Sequence, residues 1–167
     1  MSENEFIEVS VHGLTVDPNN NNPIVLLREI DGDRVVPIWI GLFEANAIAM
    51  SLSGMEPPRP MTHDILHSVI SEAGFTVDRI EITEIKDNTY YAKVYLLSGE
   101  EHIELDSRPS DAIALSVRAK NKIFMSNTVL DQSSVDISVI QDAGDSEDKW
   151  TELLKELDPE DYSKYKM

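Results

Sequence analysis

Polar side chains that could carry out acid–base or phosphate chemistry cluster at the starts of three predicted helices. Glu44 is the one charged residue in an otherwise apolar helix pattern, and His63 and Asp64 open the next one. A third group surrounds the start of a further helix and consists of Asp106, Arg108, Ser110 and Asp111. Acidic residues in a first helical turn also complement the helix dipole, which is worth about 0.3 to 1 kcal/mol each. The pattern therefore leaves a catalytic and a purely structural interpretation open.

Two arginines adjoin prolines. Arg59 lies between two prolines, and Arg108 precedes one. Because proline restricts both its own backbone and that of the preceding residue, these segments would hold a guanidinium in a fixed direction. A guanidinium matches the geometry of phosphate oxygens. The alternative is that the arginines form structural salt bridges to Asp106 or Asp111.

The segment HDILH, residues 63–67, can be compared with the H-E-x-x-H zinc motif, because histidines four residues apart share a helix face. Asp64 stands where that motif has the glutamate base, and its side chain is one methylene shorter. No histidine or glutamate downstream is an obvious third ligand. We therefore do not expect a zinc protease.

The first half of the chain predicts three strands and two helices. Alternating apolar residues predict a strand from Phe6 to Val16, and Asp31-Gly32 predicts a hairpin between strands at 24–27 and 35–40. Residues 42–53 predict a helix that is apolar on nearly all sides and therefore buried. We expect Thr62 to cap a second helix that extends to Ala73. Its predicted apolar face consists of Leu66, Val69, Ile70 and Ala73.

The second half predicts a three-strand meander followed by a third helix. The strand at 75–85 changes its apolar phase, which predicts a bulge near Asp78 and Arg79. Strands at 90–97 and 102–105 follow, and Pro109 lies in the first turn of the third helix, where proline is tolerated. Short apolar runs at 123–125 and 135–140 predict edge strands.

The predicted fold class is α+β, with a mixed, largely antiparallel sheet built from meanders, three core helices and a short C-terminal helix. Residues 1–141 are expected to form one domain. Residues 142–167 are expected to form an acidic linker and a short amphipathic helix, because Trp150, Leu153, Leu154 and Leu157 repeat at helical spacing. This helix could bind a protein partner.

Composition limits the possible environments and ligands. The formal net charge is −17, which argues against tight nucleic-acid binding by charge alone and calls for a local arginine cluster or a divalent cation. No apolar run is long enough for a membrane span, and the N-terminus lacks the pattern of a secretion signal. The absence of cysteine excludes thiolate chemistry. We expect a cytoplasmic protein without membrane contact.

Four separated motifs in order resemble the bifunctional nuclease domain family: PIWIGLFEANAI (37–48), PPRPMTHDIL (57–66), TYYAKVYL (89–96), and LDSRPSDAIALSVR (105–118) followed by KIFM. The resemblance covers about residues 6–140. It implies an α+β fold, a tendency to form homodimers, and activity on both DNA and RNA. Ser107 stands where the family commonly has alanine. The residues that match the motifs include Glu44, Arg59, Thr62, His63, Asp64, Asp106, Arg108, Ser110 and Asp111.

The leading hypothesis is a metal-assisted phosphodiesterase acting on nucleic acid that it binds weakly. Carboxylates would hold Mg²⁺ or Mn²⁺, which activates water and offsets phosphate charge. The candidate metal ligands are Glu44, Asp64, Asp106 and Asp111. His63 would serve as general acid or base. Arg59, Thr62, Arg108 and Ser110 are expected to bind the substrate, and the two arginines would also stabilise charge as the bond breaks.

The alternative hypothesis is a non-catalytic, dimeric binding or regulatory module. In that case the same arginine and aspartate residues would form ion pairs that fix the fold or a dimer interface. One sequence does not separate the two, since packing and catalysis can require the same motif. The hypotheses differ in whether the three helix starts meet at a solvent-accessible site.

Overall fold

The computed structural model describes residues 5–136, and within this range one eight-stranded mixed sheet organises the chain. The strands are β1 (Phe6–Val16), β2 (Pro23–Glu29), β3 (Arg34–Trp39), β4 (Thr76–Lys86), β5 (Thr89–Ser98), β6 (Glu101–Ser107), β7 (Lys122–Ser126) and β8 (Val135–Asp136). Their spatial order is β6-β5-β4-β7-β1-β2-β3-β8. All neighbouring pairs are antiparallel except β4 and β7, which are parallel. The predicted fold class is confirmed.

The sheet consists of two three-strand meanders joined by a central strand. Strands β1 to β3 form one meander and β4 to β6 the other, as the turn signals predict. β7 lies between them, where Ile123 is opposite Val9 of β1 and Ile80 of β4. The prediction that residues 123–125 form an edge strand is therefore wrong. A three-residue apolar run is compatible with either position, and only long-range pairing decides between them.

Strand β4 contains the predicted bulge. Its register to β5 shifts between Val77 and Arg79, and a second shift between Ile82 and Glu84 was not predicted. The following turn uses Asp87 and Asn88, both at positive φ, which suits the twist of a tight hairpin. The bulge and turn set which side chains of β4 and β5 face the core.

Four helices are present in the described range: α1 (Leu42–Leu52), α2 (Thr62–Glu72), α3 (Pro109–Ala119) and α4 (Asn127–Ser133). The main core joins Ile82 and Val94 of the sheet to Ile48 of α1 and Ile113 of α3. Proline at the start of α3 agrees with the prediction. The short α4 was not predicted, although its Val129 and Leu130 are almost completely buried.

The prediction that α1 is buried is wrong in part, and the predicted apolar face of α2 is mostly exposed. Helix α1 is buried along Ala45 to Ala49, but Phe43 in its first turn is 85% exposed. Helix α2 buries only Ile70, whereas Leu66 and Val69 of its predicted apolar face are exposed. Neighbouring elements therefore cover the middle of α1 and only a small part of the surface of α2. Sequence periodicity identifies an apolar stripe but does not tell how much of it a neighbour covers.

None of the helices within residues 5–136 has the length and apolar character needed to cross a membrane. Residues 137–140 of the predicted last strand, the predicted domain boundary at residue 141 and the predicted C-terminal helix lie outside the described residues.

Because β7 is central in the sheet, we predict that truncating one of its buried side chains strongly destabilises the fold. Replacing Ile123, which is 5% exposed, with alanine should lower the free energy of unfolding by about 2 to 5 kcal/mol, because it leaves a cavity between two strands and a helix layer. The matched change Ile103→Ala in edge strand β6 removes the same atoms from a side chain that is 37% exposed. It should cost clearly less. Urea unfolding measures both, and equal losses would contradict a central β7.

Candidate functional site

The carboxylate of Asp111 connects the start of α3 to the start of α2. Its Oδ1 lies 2.9 Å from Nε2 of His63, and its Oδ2 accepts a 2.7 Å hydrogen bond from Nε of Arg108. Arg108 is the N-cap residue of α3, and Asp111 lies in the first turn of that helix. The proline at the first helical position fixes the backbone between them. Two helix starts that are about fifty residues apart in sequence therefore share one carboxylate.

Glu44 brings the third helix start into the same cluster. Its Oε1 lies 3.0 Å from Nη2 of Arg108. Glu44 is in the first turn of α1, and its carboxyl group folds back over Gly41, where a side chain would clash with it. The order of contacts is Glu44, Arg108, Asp111 and His63, and we call these four residues the helix-start cluster. The predicted convergence of three helix starts is thus present for these residues.

Exposure differs strongly within the helix-start cluster. The His63 side chain is 12% exposed and that of Glu44 is 17% exposed, whereas the Arg108 side chain is 66% exposed. A guanidinium has five N–H donors, so Arg108 can reach solvent with those that do not face the two carboxylates. The cluster therefore combines partly buried acidic and histidine side chains with an arginine on the solvent side.

The contacts within the cluster stabilise the charged forms of Asp111 and Arg108. Partial burial alone would raise the pKa of Asp111, but its hydrogen bonds to Arg108 and His63 outweigh this and hold the pKa below its ordinary value. The same carboxylate, together with Glu44, raises the pKa of Arg108. Because an ionised carboxylate only accepts hydrogen bonds, Nε2 of His63 must be the donor. In neutral His63 the lone pair is then on Nδ1, which is the nitrogen able to act as a base.

Asp64 belongs to a second ion pair. Its Oδ1 accepts a 2.6 Å hydrogen bond from Nε of Arg118, and its Oδ2 accepts one of 2.8 Å from the backbone N–H of Met61. Met61, not Thr62, is the N-cap residue of α2, so the prediction that Thr62 caps this helix is wrong. Burial would raise the pKa of Asp64, but the bonds to Met61 and Arg118 lower it overall.

Arg118 was missed as a site residue, although it closes the fourth motif. It also donates to the carbonyl of Ala114, and its side chain is only 9% exposed. An arginine seven residues after Asp111 lies on nearly the same helix face two turns on. That spacing is the signal that could have identified it.

Asp106 lies away from the helix-start cluster. It is directly opposite Lys93 in the β5–β6 pairing, so both side chains share one face of the sheet. The neighbours of Lys93 along β5, Ala92 and Val94, belong to the core that faces the helices. Asp106 therefore points to the opposite face, and strand alternation separates it from the other candidates.

The other predicted substrate-binding residues have simpler surroundings. Arg59 is exposed in the loop between α1 and α2, and it makes no hydrogen bond or ion pair within residues 5–136. Thr62 is exposed as the first residue of α2, and Ser110 is buried in the first turn of α3. Arg59 is thus free to contact a ligand, and it precedes His63 by four residues in the sequence.

The predicted metal ligands do not form one set. Glu44 and Asp111 contact Arg108, Asp64 contacts Arg118, and Asp106 is on the other face of the sheet. In the described part of the chain, no three acidic or histidine side chains are grouped as metal ligands. This arrangement does not fit a metal held by these four carboxylates. Assistance by Mg²⁺ or Mn²⁺ stays a prediction.

Comparison with known proteins identifies the family. The model of the bifunctional nuclease domain matches residues 25–138. The chain belongs to the bifunctional nuclease domain family. The match includes both the helix-start cluster and the Asp64–Arg118 pair, and it confirms the resemblance inferred from the four motifs.

Relatives differ in how much of their length is shared with this chain. An uncharacterized protein of Mycobacterium tuberculosis is 36% identical over 165 residues, which cover 93% of this chain and 97% of the relative. Bifunctional nuclease 1 of Oryza sativa subsp. japonica is 29% identical over 116 residues, which cover 68% of this chain but 35% of the relative. Bifunctional nuclease 1 of Arabidopsis thaliana is 24% identical, with 59% and 32% covered. The chain thus matches about a third of each plant nuclease.

From the lowered pKa of Asp111 we predict how the contribution of this residue to folding stability depends on pH. A carboxylate whose pKa is lower in the folded than in the unfolded state stabilises the fold above the unfolded value of about 3.9, and this contribution is lost as the pH falls through the folded value. Asp111→Asn should therefore lower the melting temperature at pH 7 and have a smaller effect near pH 3. Asp33→Asn, at a side chain that is 80% exposed, serves as the control. A deficit for Asp111→Asn that is equal at both pH values would contradict a charged Asp111 in the fold.

Proposed function

We propose that this protein hydrolyses phosphodiester bonds in DNA or RNA at the helix-start cluster. The observation that carries the proposal is the double contact of Asp111, which orients His63 with one oxygen and Arg108 with the other. Membership of the bifunctional nuclease domain family and the names of the plant relatives support a nuclease.

In the proposed mechanism, a backbone phosphate contacts the exposed hydrogen-bond donors of Arg108. Arg59, with no partner in the described part of the chain, supplies a second cation from its loop. A water molecule then attacks phosphorus while Nδ1 of His63 accepts its proton, and one P–O ester bond breaks. Asp111 stabilises the resulting imidazolium, as the carboxylate partner of a catalytic histidine does in hydrolases. The leaving oxygen takes a proton from His63 or from solvent.

The electrostatics of the cluster are consistent with weak binding of nucleic acid. Two carboxylates, Glu44 and Asp111, offset the charge of Arg108, and the whole chain carries a net charge of −17. Affinity would therefore rest on few phosphate contacts and fall with rising salt only moderately. A divalent cation brought with the substrate would reduce the repulsion. Homodimer formation, a cytoplasmic location and a protein partner for residues 142–167 stay predictions.

The test is cleavage of labelled single- and double-stranded DNA and RNA by highly purified protein. His63→Ala should lower kcat/KM by about 10²- to 10⁴-fold, because it removes the proton acceptor. His67→Ala, one turn further along the same helix, is the matched control and should retain the activity of the unaltered protein. Parallel reactions with Mg²⁺, Mn²⁺ and chelator test the metal prediction. Absence of cleavage under all of these conditions would overturn the proposal.

The non-catalytic module is the second candidate, and one observation favours it. The helix-start cluster links α1, α2 and α3 through contacts that are largely satisfied within the protein, as expected of a structural ion-pair network. In that case the unaltered protein would cleave nothing. For the nuclease, Arg108→Ala should reduce kcat/KM at least tenfold, because it removes the guanidinium that contacts the phosphate. Its side chain is mostly exposed, so either function predicts a small change in stability, and cleavage alone separates the two.

A further inference from the structure

We infer that a cavity beside the Asp64–Arg118 pair binds a guanine base. This inference rests on the proposed function, since the base would belong to the nucleic acid whose phosphate contacts the helix-start cluster. The cavity has a volume of about 290 Å³ and lies between the end of α1, the loop that follows it, the start of α2 and the end of α3. It is distinct from the helix-start cluster, none of whose four residues lines it.

The cavity lies at a suitable distance from the helix-start cluster. Arg118, which lines it, follows Asp111 by seven residues on α3, which corresponds to about 10 Å along nearly the same helix face. On α2, the consecutive residues His63 and Asp64 face the cluster and the cavity respectively. A nucleotide with its phosphate at Arg108 can reach across this distance with its base. The two sites therefore suit adjoining parts of one substrate.

The walls of the cavity suit a flat aromatic ring. Met50, Met55 and Met61 line it, together with Pro57 and Val117. Thioether side chains are polarizable and flexible, and they contact aromatic rings favourably. An aliphatic wall of this kind gives no hydrogen bonds to a phosphate or a sugar, whereas it can cover both faces of a base.

The polar end of the cavity carries an arginine with donors to spare. Nε of Arg118 donates to Asp64, and Nη1 donates to the carbonyl of Ala114. Within residues 5–136 its Nη2 makes no hydrogen bond, although the side chain is only 9% exposed. Among the described residues, the side-chain polar atom that is both buried and without a partner is Ser126 Oγ, so Nη2 of Arg118 keeps access to solvent and a ligand that supplies acceptors can reach it. The acceptor pair O6 and N7 of guanine is the common partner of an arginine.

The charges that line the cavity favour a base over a free anion. Glu56 and Asp64 offset Arg118 and Lys120, so the four charged groups sum to zero. Inorganic phosphate or sulfate would gain little from such a site. Guanine presents both an acceptor edge for a guanidinium and N–H donors for a carboxylate, whereas adenine lacks the O6 acceptor. This combination selects guanine among the bases.

The experiment is an isothermal calorimetric titration of the full chain with 5′-GMP in the presence of a chelator, which measures the affinity for GMP. Met55→Trp should fill the cavity without disturbing the core, because Met55 lines the cavity and is 54% exposed. Leu52→Trp, at a side chain that is 48% exposed and outside the lining, is the matched control. We expect saturable GMP binding that Met55→Trp weakens at least tenfold and Leu52→Trp changes less than twofold. AMP, CMP, UMP and inorganic phosphate should bind at least fivefold more weakly.

Three results would overturn the guanine site: no saturable binding of GMP, equal binding of GMP and AMP, or GMP binding that is unchanged in Met55→Trp. The cleavage assay separates this inference from the proposed function. If the protein binds GMP as expected but cleaves no nucleic acid, the guanine site is supported and the proposed nuclease activity is overturned. If it cleaves nucleic acid but does not bind GMP, the nuclease activity is supported and the guanine site is overturned.

Discussion

The two oxygens of the Asp111 carboxylate bind partners that come from different helices, and this contact positions the rest of the candidate site. One oxygen fixes the ring of His63 at the start of α2, and the other fixes the guanidinium of Arg108 at the start of α3. Arg108 in turn contacts Glu44 of α1. Because each member has a partner of opposite charge or a hydrogen-bond acceptor, charged groups can remain partly buried there. If the Asp111 contact were lost, His63 would lose its orientation and Arg108 one of its two anchors.

The fold was largely predictable where local signals decide it. Turn dipeptides such as Asp31-Gly32 and a proline at the start of α3 define hairpins and a helix start from a few neighbouring residues. The phase slip near Asp78 likewise identified a real bulge in β4. The central place of β7 was not predictable, because it depends on pairing with β1 and β4, which are distant in sequence. The exposure of most of α2 depends in the same way on what its neighbours cover.

The candidate site was predictable in its residue types but not in its partnerships. Acids, a histidine and an arginine at three helix starts indicated a cluster, and Glu44, His63, Arg108 and Asp111 form one. The sequence predicts Asp106 in the same cluster because it is close to Arg108, whereas strand alternation places it on the other face of the sheet. The partner of Asp64 could not be chosen from the sequence, since several arginines were available. In the folded protein, the four predicted carboxylates thus lie in three places: Glu44 and Asp111 beside Arg108, Asp64 beside Arg118, and Asp106 on the other face of the sheet.

The coupling of His63 and Asp111 in catalysis tests the account most directly, and a double-mutant cycle on kcat/KM for nucleic-acid cleavage measures it. If Asp111 acts mainly by orienting His63, the double variant His63→Ala, Asp111→Asn should lose much less than the product of the two single losses, and the remaining difference from His63→Ala should reflect only the anchor that Arg108 loses. Losses that multiply would show that the two residues act independently. A cleavage rate that neither change lowers would contradict the account.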